Sequence, residues 1–201
     1  MDLITDSVKT IEKMIENCGC EEGDILLETS PDTVICQYER GACMVATFGG
    51  KTAEFVTDDP VRAMTKLSFM FDAPLDTPVT RSAAGSVINV LAGFFSLTRV
   101  HHACQAPSHM PCLELLSREL AGRQVACIGS MPTIESEFRN YFVQDPEKAD
   151  VILINGEGII DPKAGAMIER YHDTKHIICI GPSTSGIARL NALEHWCPYG
   201  N

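Results

Sequence analysis

Three stretches in the last third of the chain share one layout, an apolar strand that runs into a loop of small and polar residues. They read VACIGSMP (125–132), VILINGEG (151–158) and IICIGPSTSG (177–186). Short, nearly unbroken runs of Val, Ile, Leu and Cys are typical of strands buried on both faces of a parallel sheet. Such sheets bind their ligands in the crevice beyond the carboxyl ends of the strands. The pattern therefore predicts a ligand crevice lined by these three loops.

Residues 1–98 have the pattern of a small α+β domain with an antiparallel meander between its helices. Turn residues separate the predicted strands, which are DILLET (24–29), TVICQYE (33–39), ACMVATFG (42–49) and TAEFV (52–56). Helical spacing of apolar residues predicts a first helix over 4–17. The run Asp58-Asp59-Pro60 is typical of the start of a second helix, and a third, more apolar helix is predicted from about 81 to 97.

Residues 99–110 lack periodicity and are predicted to link this domain to a second one over 111–201. In the second domain helices and strands alternate, which indicates right-handed βαβ units and a Rossmann-like parallel-sheet domain. Besides the three strands described above, we predict a short strand over 141–145 and a final helix over 185–196. The predicted fold class is therefore α/β, an α+β domain followed by a Rossmann-like domain.

Composition and charge exclude several classes of function. The chain has a net charge of −11 and no Lys/Arg cluster, so nucleic acid and anionic membrane surfaces are not expected as partners. The N-terminus lacks the basic start of a signal peptide. The nine cysteines are odd in number and several lie in predicted strands, which favours reduced thiols and a cytoplasmic location.

The polar residues of the three loops are candidate ligand contacts. Ser183 and Thr184 offer hydroxyls at a helix start, where free N–H groups favour an anion, although a well-capped turn would look the same. Glu157 is a candidate acid or metal ligand, with a solvated carboxylate as the alternative. The other candidates on these loops are Gly129, Ser130, Asn155 and Gly181. Neither GxGxxG nor a Walker pattern is present, so no specific nucleotide cofactor is implied.

The linker segment HHACQAPSHMPC concentrates imidazole and thiol groups within twelve residues. Its candidate metal ligands are His101, His102, Cys104, His109 and Cys112. Imidazole and thiolate are natural ligands of zinc, copper, nickel and iron, which makes a transition metal ion a candidate cofactor. The spacing matches no zinc-finger framework, so packing between the domains and plain exposure remain the alternatives.

Four motifs together resemble the heavy-metal chelation family of Rossmann-like proteins, a largely uncharacterised prokaryotic group. They are RSAAGSVINVLAG (81–93), IGSMPTIE (128–135), ADVILINGEGIID (149–161) and IGPSTSG (180–186). The resemblance implies an enolase-N-terminal-like first domain, metal chelation, and a place for Asn89 beside the crevice. The chain departs from the family where Asn89 is followed by Val90 rather than Ala, and where Ser185 replaces a Pro.

The function predicted from these features is binding of a small anionic ligand, a metal or a metal complex in the crevice between the two domains. The expected partner is therefore a small molecule or metal, and the assembly considered is a homodimer. One alternative is a transferase or lyase that acts on a metabolite in the same crevice. A second alternative is a regulatory module that binds a partner protein.

Overall fold

A computed structural model describes residues 1–201 and shows two four-stranded sheets with helices packed between and outside them. The elements of the first half are α1 (Leu3–Ile15), β1 (Asp24–Thr29), β2 (Ala42–Phe48), β3 (Lys51–Thr57), β4 (Ala63–Lys66) and α2 (Pro78–Phe94). The four strands form an antiparallel sheet in the order β3-β2-β1-β4. Its sequence order is that of a meander whose last strand returns to pair with the first.

The second half alternates strands and helices, as the sequence predicts. Its elements are α3 (His109–Glu119), β5 (Val125–Ile128), α4 (Pro132–Glu137), β6 (Val151–Ile154), α5 (Gly156–Ile160), α6 (Pro162–Tyr171), β7 (His176–Ile180), α7 (Ser185–Leu190) and β8 (Glu194–Trp196). The strands form a parallel sheet in the order β5-β6-β7-β8. The predicted α/β fold class, with an antiparallel and a parallel sheet, is confirmed.

Both faces of the parallel sheet are buried, which explains why its strands read as continuous apolar runs. In β6, Ile152 and Ile154 face a core shared with α1, α2 and the antiparallel sheet. Val151 and Leu153 of the same strand face a second core formed with α3 and α4. The alternation of β-strand side chains thus distributes one apolar run between two cores.

Helix α2 joins the two halves of the molecule. It packs on β2 and β3 with one side and on α7 of the second half with the other. Gly85 permits the approach to the sheet, because a Cβ there would come within 2.7 Å of the Phe55 ring. Although α2 is almost wholly buried, none of the helices combines the length and apolar character needed to cross a bilayer.

The predicted strand over 33–39 is wrong, because these residues form an irregular part of the loop between β1 and β2. Their backbone leaves the first sheet and reaches the second half of the molecule. There the carbonyl of Gln37 accepts a hydrogen bond from the Thr133 hydroxyl, and the carbonyl of Tyr38 accepts one from the Asn155 amide. Hydrogen bonds from distant side chains therefore replace the strand-to-strand backbone bonds that the apolar pattern predicts.

The helix predicted to start at Asp58-Asp59-Pro60 is also absent. After Pro60 the chain forms β4, which pairs with β1, and then a short 3-10 turn over Leu67–Met70. The Thr57 hydroxyl accepts a hydrogen bond from the Asp59 N–H, which ends β3 in a tight turn. Pairing with the free edge of β1 outweighs the local helix signal.

Two further elements of the second half differ from the prediction. The helix predicted over 185–196 ends at Leu190, and the chain reverses at Ala192, whose φ of 54° lies in the left-handed region. Glu194–Trp196 then extends the parallel sheet as β8. The strand predicted over 141–145 is reduced to a single bridge between Phe142 and Val125. Pairing with β7 therefore accounts for the shortened helix.

An ion pair fastens α1 to α2 at the start of both helices. The guanidinium of Arg81, which is 3% exposed, donates to both carboxylate oxygens of Asp2 at 2.8 and 2.9 Å. Asp2 is also the N-cap of α1 and accepts from the N–H groups of Ile4 and Thr5. Partial burial opposes ionisation, but the bonds from Arg81 and Thr5 hold the pKa of Asp2 below its usual 3.8.

We expect Asp2→Asn to lower the free energy of unfolding at pH 7 by about 1–3 kcal/mol, because it leaves the buried Arg81 charge without a counterion. Asn is a good N-cap, so the substitution isolates the ion pair from the cap. The stabilisation exists above pH 3.8 and is lost as the pH falls through the lowered pKa of the folded state. Urea denaturation between pH 3 and 7, with the exposed Asp72→Asn as control, measures this. A deficit that stays constant down to pH 3 would contradict it.

Candidate functional site

The three predicted loops lie together at the carboxyl edge of the parallel sheet, since β5, β6 and β7 are neighbours in it. Gly129 and Ser130 follow β5, residues 155–157 follow β6, and residues 181–184 follow β7. The loops contact one another and also segments of the first half of the chain. The predicted crevice is thus the place where the two halves meet.

Asn155 holds two of the loops in place. Its side chain is 1% exposed, accepts from the Gly158 N–H at 2.9 Å, and donates to the carbonyls of Ser130 and Tyr38 at 3.0 and 3.1 Å. Gly129 has a φ of 88°, and a Cβ there would overlap the Asn155 amide oxygen. Asn155 and Gly129 therefore serve the packing of the loops themselves.

The Ser183 and Thr184 hydroxyls are buried and already bonded within the protein. Ser183 Oγ accepts from the N–H of Val56, a residue of β3, at 2.9 Å. Thr184 Oγ1 donates to the carbonyl of Gly181 at 3.0 Å. Both residues are 0% exposed. The structure thus uses these hydroxyls to join the loop after β7 to the first half and to itself.

Asn89 lies in α2, and its side chain bonds to the backbone of the loop after β7 and of the start of α7. Its amide donates to the Ser183 carbonyl at 2.8 Å, and its oxygen accepts from the Gly186 N–H at 2.9 Å. The residue is fully buried. Asn89 therefore lies beside the loops, as the resemblance implies, with its polar atoms bonded to backbone.

The crevice beyond β6 and β7 is filled by the chain's own Glu39. This residue belongs to the irregular segment 36–40 and is 7% exposed. A Cβ on Gly156 would lie 3.2 Å from its Oε1, and one on Gly181 would lie 3.1 Å from the same atom. Neither carboxyl oxygen makes a hydrogen bond of ordinary geometry. The position where this class of sheet binds ligands thus holds an internal carboxyl group.

Burial is the main reason that Glu39 holds its proton. Loss of hydration, reinforced by the nearby carboxylate of Glu54, raises the pKa of Glu39 to about 8, although contacts with Ser183 and Gly156 work in the opposite direction. A neutral carboxyl group avoids the large cost of an isolated buried charge. At neutral pH we therefore treat Glu39 as protonated in the folded protein.

An open cavity of about 400 Å³, which we call the polar cleft, lies next to these loops at the junction of the two halves. Only one of its twelve lining residues is hydrophobic. Its carboxylates are Asp58, Asp59, Asp76, Glu157 and Asp161. Glu157 connects it to the predicted crevice, because its Oε2 accepts from the Ser130 N–H at 2.8 Å.

Two arginines also line the polar cleft, Arg40 and Arg81. Arg81 is buried and already paired with Asp2, whereas Arg40 is exposed and forms no ion pair. Helices α2 and α6 begin at the cleft, with Thr77 and Asp161 as their N-caps. The cleft is therefore polar and open. It is rich in carboxylate oxygens, and it has more negative than positive side chains.

The histidines and cysteines of the linker do not converge. His102 bonds to Glu54 and Thr52 of β3 at 3.2 Å each, and His101 packs beside Gly93 of α2. Cys104 and Cys112 are buried, and the His109 carbonyl accepts a hydrogen bond from the Gln37 side chain. Burial lowers the pKa of His101 and raises that of Cys104. No three His, Cys, Asp or Glu side chains in the molecule are arranged to hold one metal ion.

The thiols are all unpaired; Cys36 belongs to the segment 36–40 that carries Glu39, and Cys112 contacts that segment. The Tyr38 hydroxyl donates to Cys112 Sγ at 3.4 Å, and Cys36 shares the same core. Burial raises the pKa of both the Cys36 thiol and the Tyr38 hydroxyl. These groups therefore behave as neutral core residues.

Sequence reasoning missed most residues of the polar cleft, and it missed Glu39. Glu39 lies in the segment misread as a strand. The cleft aspartates had a common signal, since Asp58-Asp59-Pro60, Asp76-Thr77-Pro78 and Asp161-Pro162 each place an Asp shortly before a Pro. Each of these runs was interpretable as a local helix start or loop, and only the fold brings them together.

We expect Asn89→Ala to lower the free energy of unfolding by about 2–4 kcal/mol, because the Ser183 carbonyl and the Gly186 N–H would lose their partner inside the core. Chemical denaturation measures the change, with Asn140→Ala at an exposed site as the matched control. Equal stability of the two variants would show that the Asn89 bonds are replaced by other contacts.

We expect Glu39→Gln to remove a fall in stability with rising pH. The unfolded chain ionises Glu39 near pH 4.5 and the folded chain only near pH 8, so the unfolded state binds fewer protons in this window. The free energy of unfolding of the parent therefore decreases from about pH 5 to 8. The variant should be more stable than the parent by about 1–3 kcal/mol at pH 8 and nearly equal to it at pH 4.5. Denaturation curves across this range, with Glu28→Gln as control, measure the difference. Parallel pH profiles of stability in the parent and in Glu39→Gln would show that Glu39 is not the group responsible.

No protein-family model matches the chain, and no curated protein matches its sequence. Solved structures do resemble it. One is the crystal structure of a DUF364-family protein of unknown function from Pyrococcus horikoshii, which has a TM-score of 0.52 and 14% identity. The similarity covers 90% of this chain and 79% of that chain.

A second similar structure is that of a DUF364-family protein of unknown function from Desulfitobacterium hafniense DCB-2. It has a TM-score of 0.51 and 13% identity, and the similarity covers 92% of this chain and 82% of that chain. Sequence identity this low supports a similarity of fold only. The chain therefore shares its two-sheet α/β fold with two DUF364-family proteins of unknown function.

Proposed function

We propose that this protein binds a small molecule with a cationic group in the polar cleft between its two halves. The proposal rests on the charge of the cleft, where five carboxylates face two guanidinium groups. One of these, Arg81, is already neutralised by Asp2. A concave site with an excess of one charge concentrates ligands of the opposite charge, and the net charge of −11 on the whole chain acts in the same direction.

This charge supports a cationic group over the purely anionic ligand that the sequence suggests. The hydroxyls of Ser183 and Thr184, which would hold an anion, already bond to Val56 and Gly181. Arg40 is the one unpaired cation of the cleft. A zwitterion, with an ammonium group toward the aspartates and a carboxylate toward Arg40, would satisfy both signs of charge.

A metal complex is the second candidate ligand, favoured by the oxygen donors of the cleft. Carboxylate oxygens suit hard cations such as Mg²⁺, Ca²⁺ and Mn²⁺, whereas heavy metals prefer thiolate and imidazole. The cleft contains no Cys or His. Its residues therefore do not fit the heavy metal that the family resemblance implies, and a hard cation would need ligands from a bound molecule to complete its coordination.

Binding has more support than catalysis by a transferase or lyase. An enzyme of this kind needs an acid and a base with shifted pKa values near the ligand. Burial raises the pKa of Glu39 and lowers that of His195, whose ring bonds to the Gly181 carbonyl at 2.9 Å. Neither residue lines the polar cleft.

The proposal is tested with two probes of equal length and opposite charge, 1,4-diaminobutane and butanedioate. We expect titration calorimetry at low salt to detect saturable binding of the diamine and weaker or no binding of the dianion. The double variant Asp58→Asn/Asp76→Asn should bind the diamine less tightly, by about two- to fivefold for each carboxylate removed. Asp58 and Asp76 are exposed and form no hydrogen bonds, so the fold should survive.

The control is Asp32→Asn/Asp72→Asn, which makes the same charge change at exposed positions outside the cleft. It should bind the diamine nearly as well as the parent. Equal weakening in both double variants would indicate a general charge effect and would remove the cleft from the proposal. Tighter binding of butanedioate than of the diamine would reverse the assigned ligand charge.

A further inference from the structure

A second cavity, which we call the apolar pocket, lies between β1, β4 and α2. Its volume is about 240 Å³, and thirteen of its sixteen lining residues are hydrophobic. A cavity of about 150 Å³ lined by Leu, Ile and Phe is large enough to bind benzene. Phe69 and Val79 line the pocket although 68% and 41% of their surface is exposed. An apolar ligand would fill the pocket and cover these two side chains.

Two of the three polar side chains that line the apolar pocket have partners within the protein. The Lys66 ammonium pairs with Asp24 at 2.7 Å and bonds to the Glu22 carbonyl at 2.9 Å. The Thr80 hydroxyl belongs to the capping box of α2. Water needs two to four polar partners to occupy a cavity, and these walls offer few. The chemistry of the pocket therefore suits a hydrocarbon chain or an aromatic ring.

The apolar pocket and the polar cleft share two walls. The connection between β3 and β4 contributes Asp59 to the cleft and Val61 to the pocket. The segment before α2 contributes Asp76 to the cleft and Leu75 to the pocket. The two cavities therefore lie next to each other along these two segments.

The first turns of α2 lie between the two cavities. Pro78 and Arg81 line the polar cleft, whereas Val79, Thr80 and Ala83 line the apolar pocket. At 3.6 residues per turn these two sets lie on opposite sides of the helix. One charged and one apolar cavity thus flank a single helix turn.

We propose that the ligand of this protein is an amphipathic amine, with its cationic head in the polar cleft and its alkyl or aromatic tail in the apolar pocket. The head group rests on the function proposed above, and the tail adds a class of ligand to it. The five carboxylates of the cleft attract the ammonium group, and the apolar pocket removes the tail from water. This arrangement requires the tail to pass between the 59–61 and 75–77 segments.

The test uses n-alkylamines from butylamine to decylamine, kept below the concentrations at which they form micelles, with n-alkanoates of the same lengths as charge-reversed probes. We expect calorimetry to show amine affinity that rises about fourfold with each added methylene. The rise should stop once the tail fills the pocket. The alkanoates should bind more weakly than the amines at every length.

Two filling variants, Ala83→Phe on α2 and Ala63→Phe on β4, test the pocket independently, so that a folding defect in one leaves the other informative. Both residues are half-buried and line the pocket. Either folded variant should bind butylamine like the parent but lose most of the gain with chain length. Ala166→Phe, on an exposed face of α6, is the matched control and should keep the gain.

The variant Asp58→Asn/Asp76→Asn separates the two proposals. It should weaken every amine by the same factor and leave the dependence on chain length intact. Affinity that does not change with chain length, or a gain that survives in both filling variants, would overturn the tail assignment while leaving the cleft proposal standing. Length-dependent binding that ignores the aspartates would overturn the placement of the cationic head in the polar cleft, on which both proposals rest. A filling variant that abolishes a dimer of the parent without changing amine binding would assign the apolar pocket to subunit contact and overturn the tail assignment alone.

Discussion

The packing of α2 between the antiparallel sheet and α7 is the interaction on which the rest of the molecule depends. One side of this helix closes the core of the first half, and the other side carries Asn89 to the loop after β7. Its first turn carries Arg81, which anchors α1 through Asp2. Because a single helix packs against both halves, the polar cleft at its start and the loop after β7 are attached to the same rigid element.

The parts of the fold that could be predicted from sequence are those with a strong local period. The strands β5, β6 and β7 are short apolar runs ended by Gly or Asn, and a parallel sheet is the common way to bury such runs on both faces. The prediction fails at residues 33–39 and at the end of 185–196 for one reason. Their local patterns fit a strand and a helix, but bonds to distant elements, through Asn155 in one case and β7 in the other, decide their conformation.

The meeting of the three loops could be predicted, but the roles of their residues could not. Loops after parallel strands meet at one edge whatever their sequence, so Gly129, Asn155 and Ser183 were expected to be near one another. Whether a hydroxyl faces a ligand or the protein depends on what packs over it, and here β3 and α2 supply the partners of Ser183. The aspartates of the polar cleft come from three separate chain segments, and no local pattern records their convergence.

The buried Glu39 ties the folding of this chain to the proton content of its surroundings. Because the carboxyl group is neutral when folded and ionised when unfolded near pH 7, unfolding releases a proton to the buffer. The heat measured on unfolding then includes the enthalpy with which the buffer takes up that proton. The measured enthalpy of unfolding accordingly differs between a phosphate and an amine buffer at the same pH, although the protein undergoes the same change in both.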